Sequence, residues 1–218
     1  MDKIRKNETD SPGSDDRFVI VVGRQYGSGG RSIGRMLARE LGVGYYDKTL
    51  LKEAAESFGY SPDIFERGDE KRPSFLRSLL SLNYGATSDT TPASVMSDER
   101  LYQFQSDVIK NICERESCVI VGRTADYVMR HHPRLVSIFL HAPIEARVKR
   151  IMERGDVASE KEAREKAQKI DRNRESYYNY YTNRPWGVAS NYHLSIDSSR
   201  VSEEAILAIV KDILERKV

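Results

Sequence analysis

Between Phe18 and Leu41 the chain passes from a β-branched apolar run, through four crowded glycines, into a helical pattern, and that order admits few folds. Phe18-Val19-Ile20-Val21-Val22 is short, continuous and apolar, as expected of a parallel strand covered on both faces. Gly23, Gly27, Gly29 and Gly30 then let the backbone turn tightly and approach a ligand closely. Apolar residues at helical spacing occupy Ile33 to Leu41. A helix N-terminus behind such a turn offers unpaired N–H groups and a partial positive charge, so the segment predicts a phosphate-binding loop. A tight strand–helix connection without a ligand is the plainer alternative.

The letters depart from the ordinary phosphate loop, which ends Gly-Lys-Ser/Thr with the lysine on the β- and γ-phosphates. Aligned on Gly27-Ser28-Gly29, the lysine position holds Gly30 and the Ser/Thr position holds Arg31. Arg31 is one source of the missing charge, although arginine differs from lysine in shape and reach. Ser32 is the nearest hydroxyl for a magnesium ion.

An anion site here has to be local, because Lys and Arg exceed Asp and Glu by only 2 over 218 residues. That balance argues against nucleic acid or an anionic membrane as partner. No apolar stretch reaches transmembrane length, and residues 1–16 are polar, which predicts a disordered tail rather than a signal peptide. Cys113 and Cys118 make no metal-ligand pattern, so a reducing cytoplasmic setting is expected. One domain over 17–218 fits the length.

Further βα alternations follow. Gly42 to Asp47 reads as a turn and a short strand, with Asp47 either capping a helix over Lys48–Phe58 or contacting a substrate at the strand's carboxyl end. Tyr84–Ser97 is rich in small polar residues and predicts a mobile loop. A helix from Ser97 to about Arg115 precedes a second strong strand, Ser117–Arg123. Arg123 there either pairs with Asp126 or Asp47, or grips a phosphate bidentately.

Leu135–Leu140 is a further strand, and Pro143 suits the first turn of the helix after it. That helix carries Arg147, Arg150 and Arg154, read either as a solvated face or as placing Arg147 or Arg150 near a nucleotide. Ser159-Glu160-Lys161-Glu162 is a capping-box pattern opening a long helix to about Tyr181, with Arg172, Arg174 and four tyrosines. Tyr192–Asp197 is the last strand, and Ser202 opens a closing helix to about Glu215. The alternation predicts an α/β parallel sheet flanked by helices.

Four segments in this order, GRQYGSGGRSIG, YYDKTLLKEAA, CVIVGRTADYVM and DRNRESYYNYYTNRPWGVASNY, resemble the cytidylate kinase-like family of P-loop nucleoside monophosphate kinases, from Phe18 to the C-terminus. The resemblance implies a three-layer P-loop NTPase fold with about five parallel strands. It implies transfer of the γ-phosphoryl group of ATP, with Mg2+, to a nucleoside monophosphate, CMP or dCMP above others. Carried over by position, Gly27, Ser28, Gly29, Gly30, Arg31 and Ser32 hold the ATP phosphates and Ser32 the metal. Asp47, Arg123 and Asp126 face the acceptor, while Arg31, Arg172 and Arg174 act on the transferring group. Residues 59–97 correspond to the acceptor-binding insertion and about 156–186 to the lid. The implied partners are small-molecule nucleotides, in a monomer or homodimer without nucleic acid or membrane. Two alternatives stand beside this reading: a non-catalytic nucleotide-binding or regulatory protein that has lost its chemistry with the loop lysine, and a kinase for another small metabolite, since related folds phosphorylate other acceptors.

Overall fold

The computed structural model describes residues 16–47, 49 and 98–216. The expected tail, the helix over Lys48–Phe58, the acceptor-binding insertion over 59–97 and the loop over Tyr84–Ser97 therefore lie almost wholly outside the described residues.

Five strands form one parallel sheet: β1 (Val19–Arg24), β2 (Gly44–Tyr46), β3 (Cys118–Val121), β4 (Leu135–His141) and β5 (Leu194–Asp197), in the order β2-β3-β1-β4-β5. The helices are α1 (Gly30–Leu41), α2 (Asp98–Arg115), α3 (Ala125–Val128), α4 (Ile144–Glu153), α5 (Glu160–Thr182) and α6 (Glu203–Glu215), with a 3-10 turn at Ala189–Asn191. The sheet lies between two helical layers, the three-layer arrangement expected from the sequence.

The pleat sorts β1 between two cores, since successive side chains point to opposite faces. Ile20 and Val22 join Val119, Val121, Ile138 and Leu140 beneath Ile33 and Leu37 of α1 and Ile206 and Val210 of α6. Val19 and Val21 join Cys118 and Ile120 beneath Val108, Ile109 and Ile112 of α2. Val19, Ile20, Val21 and Val22 are all wholly buried, which is why this part of β1 reads as an unbroken apolar run. Cys113 and Cys118 are free thiols inside the second core. Among the described residues, no helix is long and apolar enough to cross a membrane.

Two boundaries differ from expectation. Helix α1 begins at Gly30, three residues before its apolar pattern, because Gly29 turns the chain in the left-handed region (φ 84°) directly ahead of it. Pro143 is the N-cap of α4 rather than part of its first turn. The capping signal of α5 is realised: the Ser159 hydroxyl accepts from the Glu162 N–H at 3.3 Å, and the Glu162 carboxylate accepts from the Ala158 N–H at 3.2 Å. Ser159→Ala is therefore expected to cost about 1 kcal/mol. By scanning calorimetry that is a fall of roughly 2–4 °C in Tm; an unchanged Tm would show the cap to be idle.

From β1 the chain crosses to β2 on one side, and from β3 it crosses to β4 on the other. The carboxyl ends of β1 and β3 thus flank the point where the winding reverses, the usual place for a ligand crevice in an open α/β sheet.

Candidate active site

Residues Val22 and Val121 are in register on adjacent strands, and each is followed by Gly-Arg. The two strands then part. β1 stays extended through Arg24, paired to Leu140, whereas β3 breaks into three consecutive left-handed residues, Gly122 (φ 79°), Arg123 (φ 61°) and Thr124 (φ 53°). A β-branched residue in this region is strained, and such strain gathers at ligand sites.

A cleft of about 580 Å³ opens above these ends, within the range of small-molecule sites. Gly27, Gly29, Gly30, Arg31 and Ser32 line one side, Gly122, Arg123, Thr124 and Asp126 another, and Asn173, Arg174, Tyr177 and Tyr178 of α5 a third. Trp186 and Tyr192 add aromatic surface. Seven lining side chains are cationic (Arg24, Arg31, Arg35, Arg123, Arg154, Lys166, Arg174) against two carboxylates (Asp126, Asp156). In a chain of net charge +2 this concentrates positive potential at one place and favours an anion.

The loop keeps its shape through contacts from below. Ser28 is wholly buried, its single hydroxyl proton shared between the carbonyls of Gln25 (2.9 Å) and Leu140 (3.0 Å), so it supports the loop rather than facing the cleft. Gly27 has φ 82°, and a Cβ there would come 2.9 Å from the Arg147 carbonyl. Ser32 donates its hydroxyl proton to the Gly29 carbonyl at 2.8 Å, which leaves the oxygen's lone pairs available to a cation. Among the described residues no group of three or more metal-ligating side chains exists. Arg31 is largely exposed, with Nε 3.6 Å from Asp47.

Asp47 itself is buried, accepts from the Thr49 N–H at 3.0 Å in capping geometry and from the Tyr45 hydroxyl at 3.4 Å, and does not line the cleft. Its hold on the cleft runs through Arg31. Asp126 does line the cleft, accepting from the Tyr178 hydroxyl at 2.7 Å, and burial pushes its pKa up.

Arg147 and Arg150 of α4 and Arg154 at its C-cap are all engaged rather than merely solvated, and of the three Arg154 alone lines the cleft. Arg147 is buried and donates to the Tyr26 carbonyl at 3.2 Å and to Asp171 at 2.6 Å. Asp171 also accepts from the Tyr26 N–H at 2.7 Å, so α5 is pinned to the glycine loop. Arg150 donates to the hydroxyl and carbonyl of Ser198, whose own hydroxyl donates to the Ser28 carbonyl. Arg154 lines the cleft beside Asp156 and Tyr26.

On α5 the expected arginine pair separates. Residues two apart on a helix lie about 200° apart around its axis. Arg174 accordingly lines the cleft and donates to the Arg24 carbonyl at 3.0 Å, while Arg172 is exposed and outside the cleft. Burial pulls the Arg174 pKa down to about 10, against the opposing pull of Asp171. Arg24, Tyr26, Tyr178 and Trp186 are cleft residues that the motif reading passed over. For Arg24 a signal existed, since Val-Gly-Arg closes both β1 and β3.

The family profile described as the cytidylate kinase-like family matches residues 19–200. A cytidylate kinase of Pyrococcus horikoshii is 26% identical over 205 residues, covering 92% of this chain and 90% of that one. A crystal structure of a protein from Eubacterium ventriosum superposes with a TM-score of 0.67 at 25% identity, covering 91% of this chain and 99% of that one. A shikimate kinase from Bacteroides thetaiotaomicron shares the fold with a TM-score of 0.51 at 14% identity, covering 91% of this chain and 98% of that one.

Proposed function

The chain belongs to the cytidylate kinase-like family and is a phosphotransferase acting as a nucleotide or small-metabolite kinase; on that premise we propose that it moves the γ-phosphoryl group of ATP to a nucleoside monophosphate, CMP or dCMP by preference. The observation that carries this reading is the cleft at the β1/β3 ends, where a glycine loop, a helix N-terminus and seven cationic side chains converge.

Phosphoryl transfer asks little covalent chemistry of a protein; it asks for in-line positioning and charge around the transferring group. In this reading the backbone of Gly27–Ser32 and the head of α1 hold the donor phosphates. Arg123 and Asp126 face the acceptor, and Asp47 acts at one remove by steadying Arg31. Arg31 and Arg174 meet charge developing on the phosphoryl oxygens, with Arg172 left to a contact made only if α5 moves. Ser32 is the hydroxyl that would hold Mg2+, which when bound with the nucleotide neutralises phosphate charge. The protein works in the cytoplasm as a monomer or homodimer on small-molecule nucleotides.

The test is a coupled assay of ADP release across CMP, dCMP, UMP, AMP, shikimate and gluconate, in folded protein with excess magnesium. Turnover highest with CMP or dCMP is expected. Turnover confined to a non-nucleotide acceptor would give the small-metabolite reading. Nucleotide binding with no turnover on any acceptor would leave a non-catalytic binding protein and sink the proposal.

A further inference from the structure

The loop lacks the lysine that ordinarily meets the donor's outer phosphates, and the space that lysine would start from is filled. Gly30 stands at that position as the first residue of α1, with no left-handed φ to call for glycine. Space calls for it. A Cβ on Gly30 would lie 2.6 Å from Cγ and 2.8 Å from Cβ of Arg24, both at the stiff base of that side chain. At the far end, a Cβ on Gly122 would lie 1.9 Å from Arg24 Nη1. The Arg24 side chain thus runs in a slot between two glycines, from the head of α1 to the turn after β3.

The charges around it tell what the slot is for. Burial pushes the Arg24 pKa well below its ordinary value, and Arg174, Arg123 and Arg31 push it further the same way. Among the described residues no carboxylate forms an ion pair with Arg24. A desolvated guanidinium among like charges is costly unless an anion joins it. Arg174 meanwhile holds the Arg24 backbone in place through its carbonyl.

We propose that Arg24 replaces the missing loop lysine, reaching from the opposite end of the loop to bind the β- and γ-phosphates of the donor nucleoside triphosphate. Its stem crosses the head of α1, so it serves the same anion as that helix N-terminus, and its planar fork offers two parallel donors where lysine offers a point charge. Gly30 is then no degenerate lysine position but the clearance for a different cation. This proposal deepens the kinase reading and rests on it.

Calorimetric binding of MgATP, AMP and adenosine to the full chain tests it, with Arg24→Lys, Arg24→Gly and the double variant Arg24→Gly/Gly30→Lys. Arg24→Gly is expected to weaken MgATP binding by about tenfold to a hundredfold, the worth of a charge-assisted hydrogen-bonded contact, while leaving adenosine binding in place. Arg24→Lys should lose less. The double variant removes the obstructing stem and puts the charge where ordinary loops carry it, so it should recover much of the lost affinity. Wild-type MgATP affinity in Arg24→Gly would overturn the assignment and leave the kinase reading standing, as would an equal loss for adenosine and MgATP. A wild-type chain that binds no triphosphate at all would take down both.

Discussion

Arg174→Ala is expected to lower the rate of phosphoryl transfer about a thousandfold while weakening MgATP binding less than about threefold, the low end of what an arginine on the transferring group is worth. The asymmetry follows from where the charge develops. In the proposed reading the ground-state phosphates are already met by the loop amides, the head of α1 and the cations at the cleft floor. An extra donor at the cleft wall acts mainly on the charge that spreads over the phosphoryl oxygens as the bond loosens. Arg174 is well placed for this, lining the cleft from α5 with its pKa near 10, so it stays charged at neutral pH. Arg172→Ala, at an exposed position, should cost less than Arg174→Ala. Single-turnover kinetics beside calorimetry separate the two quantities. A loss shared equally between rate and affinity, or the reverse ranking of the two variants, would contradict the role.

The second large effect concerns stability. Asp171→Ala is expected to destabilise the fold by about 3–5 kcal/mol, the cost of stripping one partner from a buried ion pair. Asp171 accepts from the Tyr26 N–H at 2.7 Å and from Arg147 at 2.6 Å, with Arg174 3.7 Å away. Without it the Arg147 guanidinium, whose Nε is buried without a hydrogen-bond partner among the described residues, would lose its carboxylate as well. Tm should fall by roughly 10 °C, at about 2–4 °C per kcal/mol for a chain of this size. The pair is no free gain: burial raises the Asp171 pKa against the pull of Tyr26, Arg174 and Arg147, so desolvation outweighs the attraction. Its value is geometric, since it fixes α5 to the glycine loop. Asp171→Asn keeps an acceptor for Tyr26 and should destabilise less. A melting point within 2 °C of wild type for Asp171→Ala would show the bridge to be dispensable.

Much of the frame was legible because it rests on local pattern. Short, largely apolar runs marked β1, β3 and β4 as strands, and the β-branched run of β1 marked it as covered on both faces. The sequence Ser159-Glu160-Lys161-Glu162 marked the start of α5 to the residue, because an N-cap hydroxyl and an acidic residue three positions on interact within one turn. The start of α1 was harder. Gly30, Arg31 and Ser32 carry no apolar periodicity, and a left-handed Gly29 began the helix ahead of its pattern. Periodicity also could not decide between Arg172 and Arg174. Both belong to a basic cluster in the sequence, and only the rotation of α5 against the sheet selects the one that enters the cleft.

The sequence by itself determined a parallel α/β sheet with a glycine turn between its first strand and first helix, the setting in which a phosphate site is expected, since strand burial, turn flexibility and helix-end charge are properties of neighbouring residues. It did not determine which cations gather above that turn. Arg24 sits between Gly23 and Gly27 and Arg123 lies 99 residues further on, and they meet only because β1 and β3 align in register and the chain turns left-handed at Gly122. The same holds for Asp171, 145 residues from the Tyr26 amide it receives. Charge placement of this kind is a sum over distant elements, and only packing of the helices against the sheet brings those charges within reach of one another.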